Sequence, residues 1–389
     1  MPGPEPSLNS GVRAIGSAGL LCLVLGSVHA FSVFLVPLET AHAVSRGTVS
    51  LIYSLALVAL TASVLIGPRY FHRFSASSIL LASGLVAAAG ALVAAAAPSL
   101  AIIGLGYSLL FGAANGVGYG YGLQLAAQAN PNREGLAMGI VTACYATGAM
   151  VAPVLFDRAI AYGGFQAAML GLACVLAISA IASGFILHGT GAKLAAPSGQ
   201  SVGGTIWSRD VVLLWSGYGT AVFCGLMVIG HAAEIARLAG LDAVIWLAPA
   251  LIAGFNLIGS LLGGNLADSM SPRLLLSTLP LIASLSLLAM LSESSSSTVV
   301  VALGCIGCCY GATISIYPSI IAKMYGMANS PGIFGKVFTA WGVAGLVAPW
   351  LAGMLFDAAG DYSVALIAAA ALGLSSAAIV QLLFRTRPA

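Results

Sequence analysis

The chain has 389 residues, of which 60% are hydrophobic and 6% are charged, and its net charge is +3. A composition this apolar excludes a water-soluble globular protein and indicates a chain that uses lipid as its solvent. The small net charge gives no support for nucleic-acid binding, so we expect no nucleic-acid partner.

Apolar segments long enough to cross a bilayer follow one another along the sequence, and their interiors contain no Asp, Glu, Lys or Arg. Crossing ~30 Å of hydrocarbon takes ~20 helical residues, and a helix satisfies its own backbone polar groups. The sequence therefore predicts an all-α membrane protein with twelve transmembrane helices. Predicted helices 1 to 12 span residues 14–38, 49–70, 78–97, 100–127, 135–156, 164–187, 211–236, 243–267, 274–292, 298–322, 333–356 and 362–384.

The longest predicted connection, residues 188–210, is rich in Gly, Ser, Ala and Pro and divides the chain into halves with related motifs. In helix 5, the sequence GAMVAP precedes Phe156 and Asp157; in helix 11, GLVAP precedes Phe356 and Asp357. Such repeats are typical of many secondary transporters and predict two pseudo-symmetric six-helix bundles. The predicted domains are a cytoplasmic tail at 1–13, a bundle at 14–187, a cytoplasmic linker at 188–210, a second bundle at 211–384 and a cytoplasmic tail at 385–389.

The distribution of basic residues predicts the orientation. Lys and Arg accumulate in the cytoplasmic loops of membrane proteins. With both termini inside, only Arg46, Arg158 and Arg237 of the 14 basic residues face outside. The tails are short and no organelle-targeting signal is evident, so we expect a multi-pass protein of a bacterial inner (plasma) membrane with both termini cytoplasmic.

Side chains with hydrogen-bonding groups are unevenly distributed among the predicted helices. Helices 3, 6 and 9, and helix 12 after Tyr362, contain no internal His, Asn, Tyr or Trp. Polar groups within a membrane usually face a bundle interior or a water-filled cavity. We therefore expect the other eight helices to enclose a cavity and these four to form a lipid-facing scaffold.

Several motifs carry a family resemblance. The most specific stretches are residues 112–122 (GAANGVGYGYG), 132–139 (NREGLAMG), 310–318, 338–345 (FTAWGVAG) and 356–357. They resemble the major facilitator superfamily over the whole chain, and within it the monocarboxylate transporters and the oxalate/formate antiporters. The resemblance implies the major facilitator fold, with a solute site between two bundles.

The same resemblance implies an inner gate. Residues 264–268 (GNLAD), with Arg273 after them, are similar to the superfamily's Gly-x-x-x-Asp loop. The counterpart after helix 2, residues 67–73, keeps the glycine and the basic residues but lacks the acid. The implied gate residues are Arg69, Arg73, Asp268 and Arg273.

One departure from the family concerns the solute. Carboxylate carriers of this family resemble one another in placing a basic residue in helix 8, and oxalate exchangers in placing another in helix 11. Here helix 8 has Ser260, and helix 11 has Trp341 near mid-depth. Desolvating a carboxylate without a charged partner costs several kcal/mol, so the departure disfavours tight recognition of a dianion.

Polar and aromatic side chains in the helices are the candidates for solute binding. They are His29, Asn115, Tyr119, Tyr145, His231, Asn256, Ser260, Tyr310, Thr313 and Trp341. Histidine titrates near neutral pH, although a neutral imidazole bonded to a neighbouring helix is the alternative. The aromatic residues can equally be packing groups, and the glycines at 112, 116 and 120 favour close helix packing.

No nucleophile with a base, metal-ligand cluster or cofactor loop stands out, and Cys305, Cys308 and Cys309 fit core packing. We therefore expect no catalysis, cofactor or metal. The sequence predicts a secondary active transporter that moves a small organic solute by alternating access, with a proton-coupled monocarboxylate as the first option. An efflux carrier for a neutral or weakly polar metabolite or drug is the alternative, and a non-transporting membrane sensor is a third. The expected partners are the solute, protons and the lipid bilayer.

Overall fold

The computed structural model describes residues 8–130, 134–194, 207–291, 295–326 and 330–385. Within these ranges the chain forms twelve long helices. They are α1 (8–42), α2 (Arg46–Ile66), α3 (Ala76–Ala95), α4 (Leu100–Ala129), α5 (134–162), α6 (165–187), α7 (Arg209–Leu238), α8 (Leu247–Ser269), α9 (Pro272–Ala289), α10 (Ser296–Tyr325), α11 (Ser330–Ala359) and α12 (Ser363–Phe384). Helix α1 changes from α-helical to 3-10 geometry over Gly26–Phe34 and returns to α at Leu35.

The lengths and compositions of these helices fit a bilayer. Ten stretches of the described residues are long and apolar enough to cross a membrane. One of them, Leu136–Leu187, contains both α5 and α6, and α8 contributes a shorter apolar segment, Leu247–Gly263. The predicted all-α membrane fold with twelve helices is confirmed.

The end of α5 differs from the sequence prediction. Predicted helix 5 stops at residue 156, whereas α5 continues to the pair Gly163 and Gly164, where the backbone leaves the helical conformation. Gly164 has φ +67°, a left-handed conformation that glycine adopts without steric cost. The helix therefore runs past the charged residues Asp157 and Arg158, because helical geometry does not have to stop where the apolar run ends.

Internal contacts group the chain into two compact units. The first unit contains residues 1–28 and 55–199, and the second contains residues 29–54 and 200–389. The end of α1 and the start of α2 are therefore grouped with helices α7 to α12.

The predicted bundle boundaries at 14–187 and 211–384 stay a prediction. Parts of the predicted tails and linker, residues 1–7, 195–206 and 386–389, lie outside the described residues.

Glycines bring α4 close to α2 in the first unit. A Cβ atom on Gly112 would lie 2.7 Å from the carbonyl oxygen of Ala56, and one on Gly116 would lie 2.8 Å from the Cβ of Ser63. Four-residue spacing places these glycines on one helix face, where they permit close backbone approach. The structure thus gives them a packing role.

The second unit repeats this arrangement between α8 and α10. A Cβ atom on Gly307 would lie 2.5 Å from the carbonyl oxygen of Ile252, and one on Gly311 would overlap the carbonyl oxygen of Asn256. The close approach fixes the distance between two helices that carry candidate site residues, Asn256 on α8 and Tyr310 on α10.

Helices α3, α6, α9 and α12 present apolar side chains outwards. Exposed examples are Leu92, Ile178, Leu285 and Ile367. In a membrane protein such a surface faces lipid chains, so these helices have the pattern expected of a lipid-facing scaffold.

Replacing Gly311 by alanine should destabilise the protein, because the added methyl group would overlap the backbone of α8. Overpacking of this kind costs about 1–3 kcal/mol. The thermal unfolding midpoint of the purified protein in detergent measures the effect. The control is Gly139→Ala, where an added Cβ would meet nothing within 4 Å. Equal midpoints for the two variants would contradict the packing role.

Candidate functional site

In the first unit, three predicted site residues meet in one cluster. Asn115 of α4 donates its amide N–H to the carbonyl oxygen of Leu25 at 2.6 Å, at the point where α1 changes to 3-10 geometry. Tyr145 of α5 donates its hydroxyl to Asn115 Oδ1 at 3.1 Å. The ring of Tyr119 lies 4.7 Å from the ring of Tyr145, and its hydroxyl bonds to Thr142.

The members of this cluster differ in exposure. Asn115 is fully enclosed and its amide group bonds within the protein, so it holds α1, α4 and α5 together. Tyr145 is also buried, whereas Tyr119 is partly exposed. Tyr119 is therefore the member with free surface for a solute.

In the second unit, Trp341 of α11 donates its indole N–H to the hydroxyl of Tyr310 on α10 at 2.8 Å. The ring of Phe338 stacks on Trp341 at 5.6 Å, almost parallel. Trp341 and Tyr310 are each 5% exposed and their polar atoms are engaged, whereas Phe338 is partly exposed. The ring of Phe338 is therefore the part of this group that suits a weakly polar or aromatic contact.

The remaining candidates on α8 and α10 have different partners. Ser260 donates to the carbonyl oxygen of Gly311 at 3.2 Å and lies 3.4 Å from Asn256 Oδ1. Thr313 bonds back to the carbonyl oxygen of Cys309 in its own helix. The partly exposed amide of Asn256 keeps N–H donors with no acceptor among the described residues, so Asn256 can bind an oxygen atom of a solute.

The two candidate histidines have separate surroundings. His29 Nδ1 lies 2.9 Å from the hydroxyl of Tyr53, and its side chain is partly exposed. His231 is fully buried on α7, among charged residues that the sequence analysis did not include in the site.

We call this group of residues the Arg46 cluster. It contains Glu39, Arg46, His231, Glu234, Asp357 and Tyr362. Arg46, only 4% exposed, binds Glu39 through two hydrogen bonds of 2.6 and 2.9 Å. A guanidinium nitrogen also lies 3.2 Å from Glu234, itself 3% exposed and paired with Arg237. The cluster therefore buries several charges that satisfy one another.

Asp357 attaches α11 to the start of α2. Its carboxylate accepts the backbone N–H groups of Arg46 and Gly47 at 2.9 and 2.8 Å. Unpaired N–H groups and the helix dipole make a helix N-terminus a favourable place for a carboxylate. The Arg46 guanidinium also lies 3.9 Å above the ring of Phe356, which adds a cation–π contact.

Hydrogen bonds define the protonation of His231. Its Nε2 lies 2.8 Å from the carbonyl oxygen of Pro349, which can only accept, so we assign the proton to Nε2. Nδ1 then accepts the hydroxyl of Tyr362 at 2.7 Å, and that hydroxyl accepts from Arg46 at 3.2 Å. We therefore assign the neutral Nε2 tautomer to this imidazole.

Tyr362 lies just before α12, outside the candidate spans. Burial raises the pKa of its phenol above the ordinary value, while Arg46 acts in the opposite direction. The phenol therefore stays protonated and remains a donor to His231.

The predicted inner-gate residues do not form ion pairs among the described residues. Arg69 and Arg73 are exposed, and the guanidinium of Arg73 lies 5.0 Å from the ring of Tyr70. Arg273 donates through Nε to Gln381 at 2.7 Å. The side chain of Asp268 lies outside the described part of the structure, so the inner gate stays a prediction.

Sequence reasoning missed most of the Arg46 cluster because its members occur at helix ends and were assigned to outer loops. The available signal was the Phe356 and Asp357 motif, which indicated internal repetition but did not reveal its partner. Within the described ranges, no group of three or more His, Cys, Asp or Glu side chains could hold a metal ion.

Twelve helices with polar groups buried in both units define the architecture of a multi-pass membrane transporter. The sequence matches the Major Facilitator Superfamily over residues 17–329 and over residues 239–389. The chain therefore belongs to this family, and it is a transporter of a small solute rather than an enzyme.

The chain is also similar to three transporters of known sequence. It is 25% identical to YhjX, an uncharacterised transporter of the superfamily from Escherichia coli K12, with 83% of this chain and 82% of YhjX aligned. It is 25% identical to rat monocarboxylate transporter 13 over 92% of this chain and 85% of the relative. It is 22% identical to the oxalate:formate antiporter of Oxalobacter formigenes over 58% of this chain and 55% of the relative.

Solved structures show the same fold at low sequence identity. A bacterial homolog of the human lysosomal transporter Spinster, inward-facing and unoccupied, has a TM-score of 0.78 and 13% identity, with 98% of both chains covered. The Escherichia coli xylose transporter XylE, in an inward-open conformation, has a TM-score of 0.70 and 12% identity over 95% of this chain and 96% of XylE. These likenesses concern the fold alone.

Replacing Arg46 by alanine should destabilise the protein by about 3 kcal/mol, because it leaves Glu39 without its buried partner and Glu234 with Arg237 only. The thermal midpoint of the purified protein measures the loss. The control is Arg158→Ala, which removes an exposed arginine. A midpoint for Arg46→Ala as high as that of the control would contradict a stabilising cluster.

Proposed function

We propose that the chain is a secondary active transporter that moves a small monocarboxylic acid together with a proton by alternating access. The Arg46 cluster is the observation that supports alternating access most directly. The end of α1 and the start of α2 contact α7, α11 and α12 through charged and hydrogen-bonding groups. We infer that this is an outer closure that opens and re-forms during transport.

Charges suit a reversible closure better than apolar packing does. Buried ion pairs contribute little net stability to the folded protein, because the free energy of desolvating the charges offsets their attraction. When the pairs separate, water solvates the same charges again, so opening costs less than the contacts alone suggest. Residues 39–47 would then release from Glu234, Asp357 and Tyr362 when the outer side opens.

Several observations support a carboxylate that crosses together with a proton, so that the two carry no net charge. Two of the relatives are named as a monocarboxylate transporter and an oxalate:formate antiporter. The interiors of the predicted helices contain no Lys or Arg, so a bare carboxylate would lack a fixed cationic partner. A proton that enters with the acid removes the charge and its desolvation cost. His29, partly exposed beside Tyr53, is our candidate for holding that proton.

A carrier for a neutral or weakly polar metabolite or drug is the second candidate, with efflux as its direction. The specific observation in its favour is the pairing of Trp341 with Tyr310, near Phe338. Flat aromatic faces with engaged polar atoms favour an uncharged solute. Ser260, at the place of the family's basic residue, is neutral as well.

The remaining parts of the proposal follow from the sequence. We propose six-helix bundles at 14–187 and 211–384 and an inner membrane location with cytoplasmic termini. We also propose an inner gate formed by Arg69, Arg73, Asp268 and Arg273.

Replacing His29 by glutamine should abolish acid uptake driven by a pH gradient, because glutamine can bond to Tyr53 but cannot carry a proton. In proteoliposomes with an imposed pH gradient, we expect accumulation of lactate or pyruvate to fall at least roughly tenfold. Exchange of preloaded acid for external acid should persist, since exchange needs no net proton movement.

The matched control is His188→Gln, which changes an exposed histidine and should leave both activities intact. Unchanged gradient-driven uptake in the His29 variant would exclude its proton role. If the wild-type protein transports only uncharged solutes, that result would favour the second candidate function. The absence of flux for every compound from a well-folded sample would contradict transport.

Replacing Glu39 by glutamine should favour the open outer side, because Arg46 loses its bidentate carboxylate partner while Glu234 still binds it. A cysteine at Ser50, which is 2% exposed, reports opening in a variant whose 7 native cysteines are replaced. In intact cells, we expect membrane-impermeant maleimide to label this cysteine several-fold faster when Glu39 is replaced by glutamine than when Glu39 is present. Asp361→Asn, at an exposed acid near the same cluster, is the control. Equal labelling rates in the two variants would contradict the outer closure.

A further inference from the structure

A cavity of about 620 Å³ lies in the first unit, outside the residues assigned to solute binding. Its wall comes from α2, α3, α4 and the short helix Pro68–Phe71 that follows α2. The hydroxyls of Ser78 and Ser83, two of the few polar groups in this wall, bond to Ser75 and to the carbonyl oxygen of Leu80. The cavity is therefore apolar, and its volume is typical of a ligand site.

The cavity opens at an exposed apolar surface. Among the residues that line it, Ile66, Tyr70, Phe74 and Val86 are exposed by 44% to 57%. Exposed apolar side chains on a membrane-embedded helix bundle contact acyl chains. Water gains few hydrogen bonds in such a space, so an acyl chain is a more favourable occupant than water.

Basic residues lie at one end of this cavity. Arg69 and Arg73 belong to the same segment as the lining residue Tyr70, and the Arg73 guanidinium lies 5.0 Å from the Tyr70 ring. The hydrogen bond from the backbone N–H of Ala76 to Ala192 places Lys193 at the start of α3.

No carboxylate pairs with Arg69, Arg73 or Lys193 among the described residues. An anion from outside the chain can therefore neutralise them whenever the proposed inner gate leaves them unpaired. A phosphate is an anion that arginines bind well, because each guanidinium offers several N–H donors.

We propose that this cavity binds an anionic phospholipid. An acyl chain occupies the groove along α2, α3 and α4, and the headgroup phosphate contacts Arg69 and Arg73, with Lys193 close by. The lipid joins the turn after α2 to α3 and supplies the negative charge that this end of the first unit lacks. This site is separate from the solute site and does not depend on the identity of the solute.

The test compares lipids with identical acyl chains. The purified, delipidated full-length protein is titrated with phosphatidylglycerol or phosphatidylcholine in detergent, and native mass spectrometry measures bound lipid. We expect phosphatidylglycerol to bind more tightly. The double variant Arg69→Gln with Arg73→Gln should weaken this binding by about 5-fold for each arginine, roughly 25-fold in total.

Matched variants separate charge from folding. The double variant Arg158→Gln with Arg209→Gln removes two exposed arginines elsewhere and should retain binding. Arg69→Lys with Arg73→Lys keeps both positive charges and should retain most of it. Equal affinity in the Arg69 and Arg73 glutamine variant and the wild type would overturn the headgroup site.

A second pair of variants tests the acyl-chain site. Ala82 is an exposed lining residue of α3, and Ala89 is exposed on the same helix but does not line the cavity. Ala82→Phe should fill the groove and reduce binding of both lipids, whereas Ala89→Phe should not. Unchanged lipid binding in Ala82→Phe would overturn the groove as the binding place. Inhibition by free inorganic phosphate at the concentration of the lipid would show a phosphate site without an acyl chain and would also overturn the proposal.

Discussion

A polar atom inside a bilayer has no bulk water to bond with, so it needs a partner in the protein or in the solute. The first unit satisfies many of its polar groups internally. Ser17 and Ser183 each donate a hydroxyl to the other's carbonyl oxygen at 2.8 and 2.9 Å, which joins α1 to α6. Asn115 bonds to Leu25 and Tyr145 in the same way. The partly exposed residues Tyr119 and Asn256 are therefore better candidates for touching a solute than the enclosed Asn115.

The same requirement explains why the two histidines differ. In the Arg46 cluster, donors and acceptors form a directed series from Arg46 through Tyr362 to His231, which ends at the carbonyl oxygen of Pro349. Each hydrogen in this series has one acceptor, so adding a proton to His231 would break the bond from Tyr362. His29 differs from His231 in being partly exposed, with its Nδ1 2.9 Å from the hydroxyl of Tyr53. For this reason the proton role proposed above is given to His29 and not to His231.

Features that depend on local sequence were predicted well. Long apolar runs predicted the helices. The four-residue spacing of Gly112 and Gly116 indicated close helix packing, and both glycines do pack closely against α2. The predicted end of α5 was wrong, because hydropathy falls at Asp157 whereas the helix continues up to Gly163, where the backbone leaves the helical conformation.

The Arg46 cluster could not be predicted because it depends on tertiary contacts. Arg46 and Asp357 are 311 residues apart, and no spacing rule links them. Charges at helix ends usually face water and signal orientation, so Arg46 and Glu234 gave no sign of being buried together. The solute-binding candidates came from residue type and depth. That reasoning cannot distinguish an enclosed residue such as Asn115 from a partly exposed one such as Asn256.

The two ends of α2 show how one helix can have opposite electrostatic surroundings. At its start, Arg46 and the helix N-terminus meet three carboxylates, from Glu39, Glu234 and Asp357, so the chain neutralises its own charge. Beyond its end, Arg69 and Arg73 meet no carboxylate among the described residues. In the proposed outer closure, both the arginine and its carboxylate partners belong to the protein, so the amino-acid sequence alone sets the strength of their attraction. Arginines without internal partners respond instead to the anions of their surroundings, so the membrane's own lipids can stabilise that end of the helix.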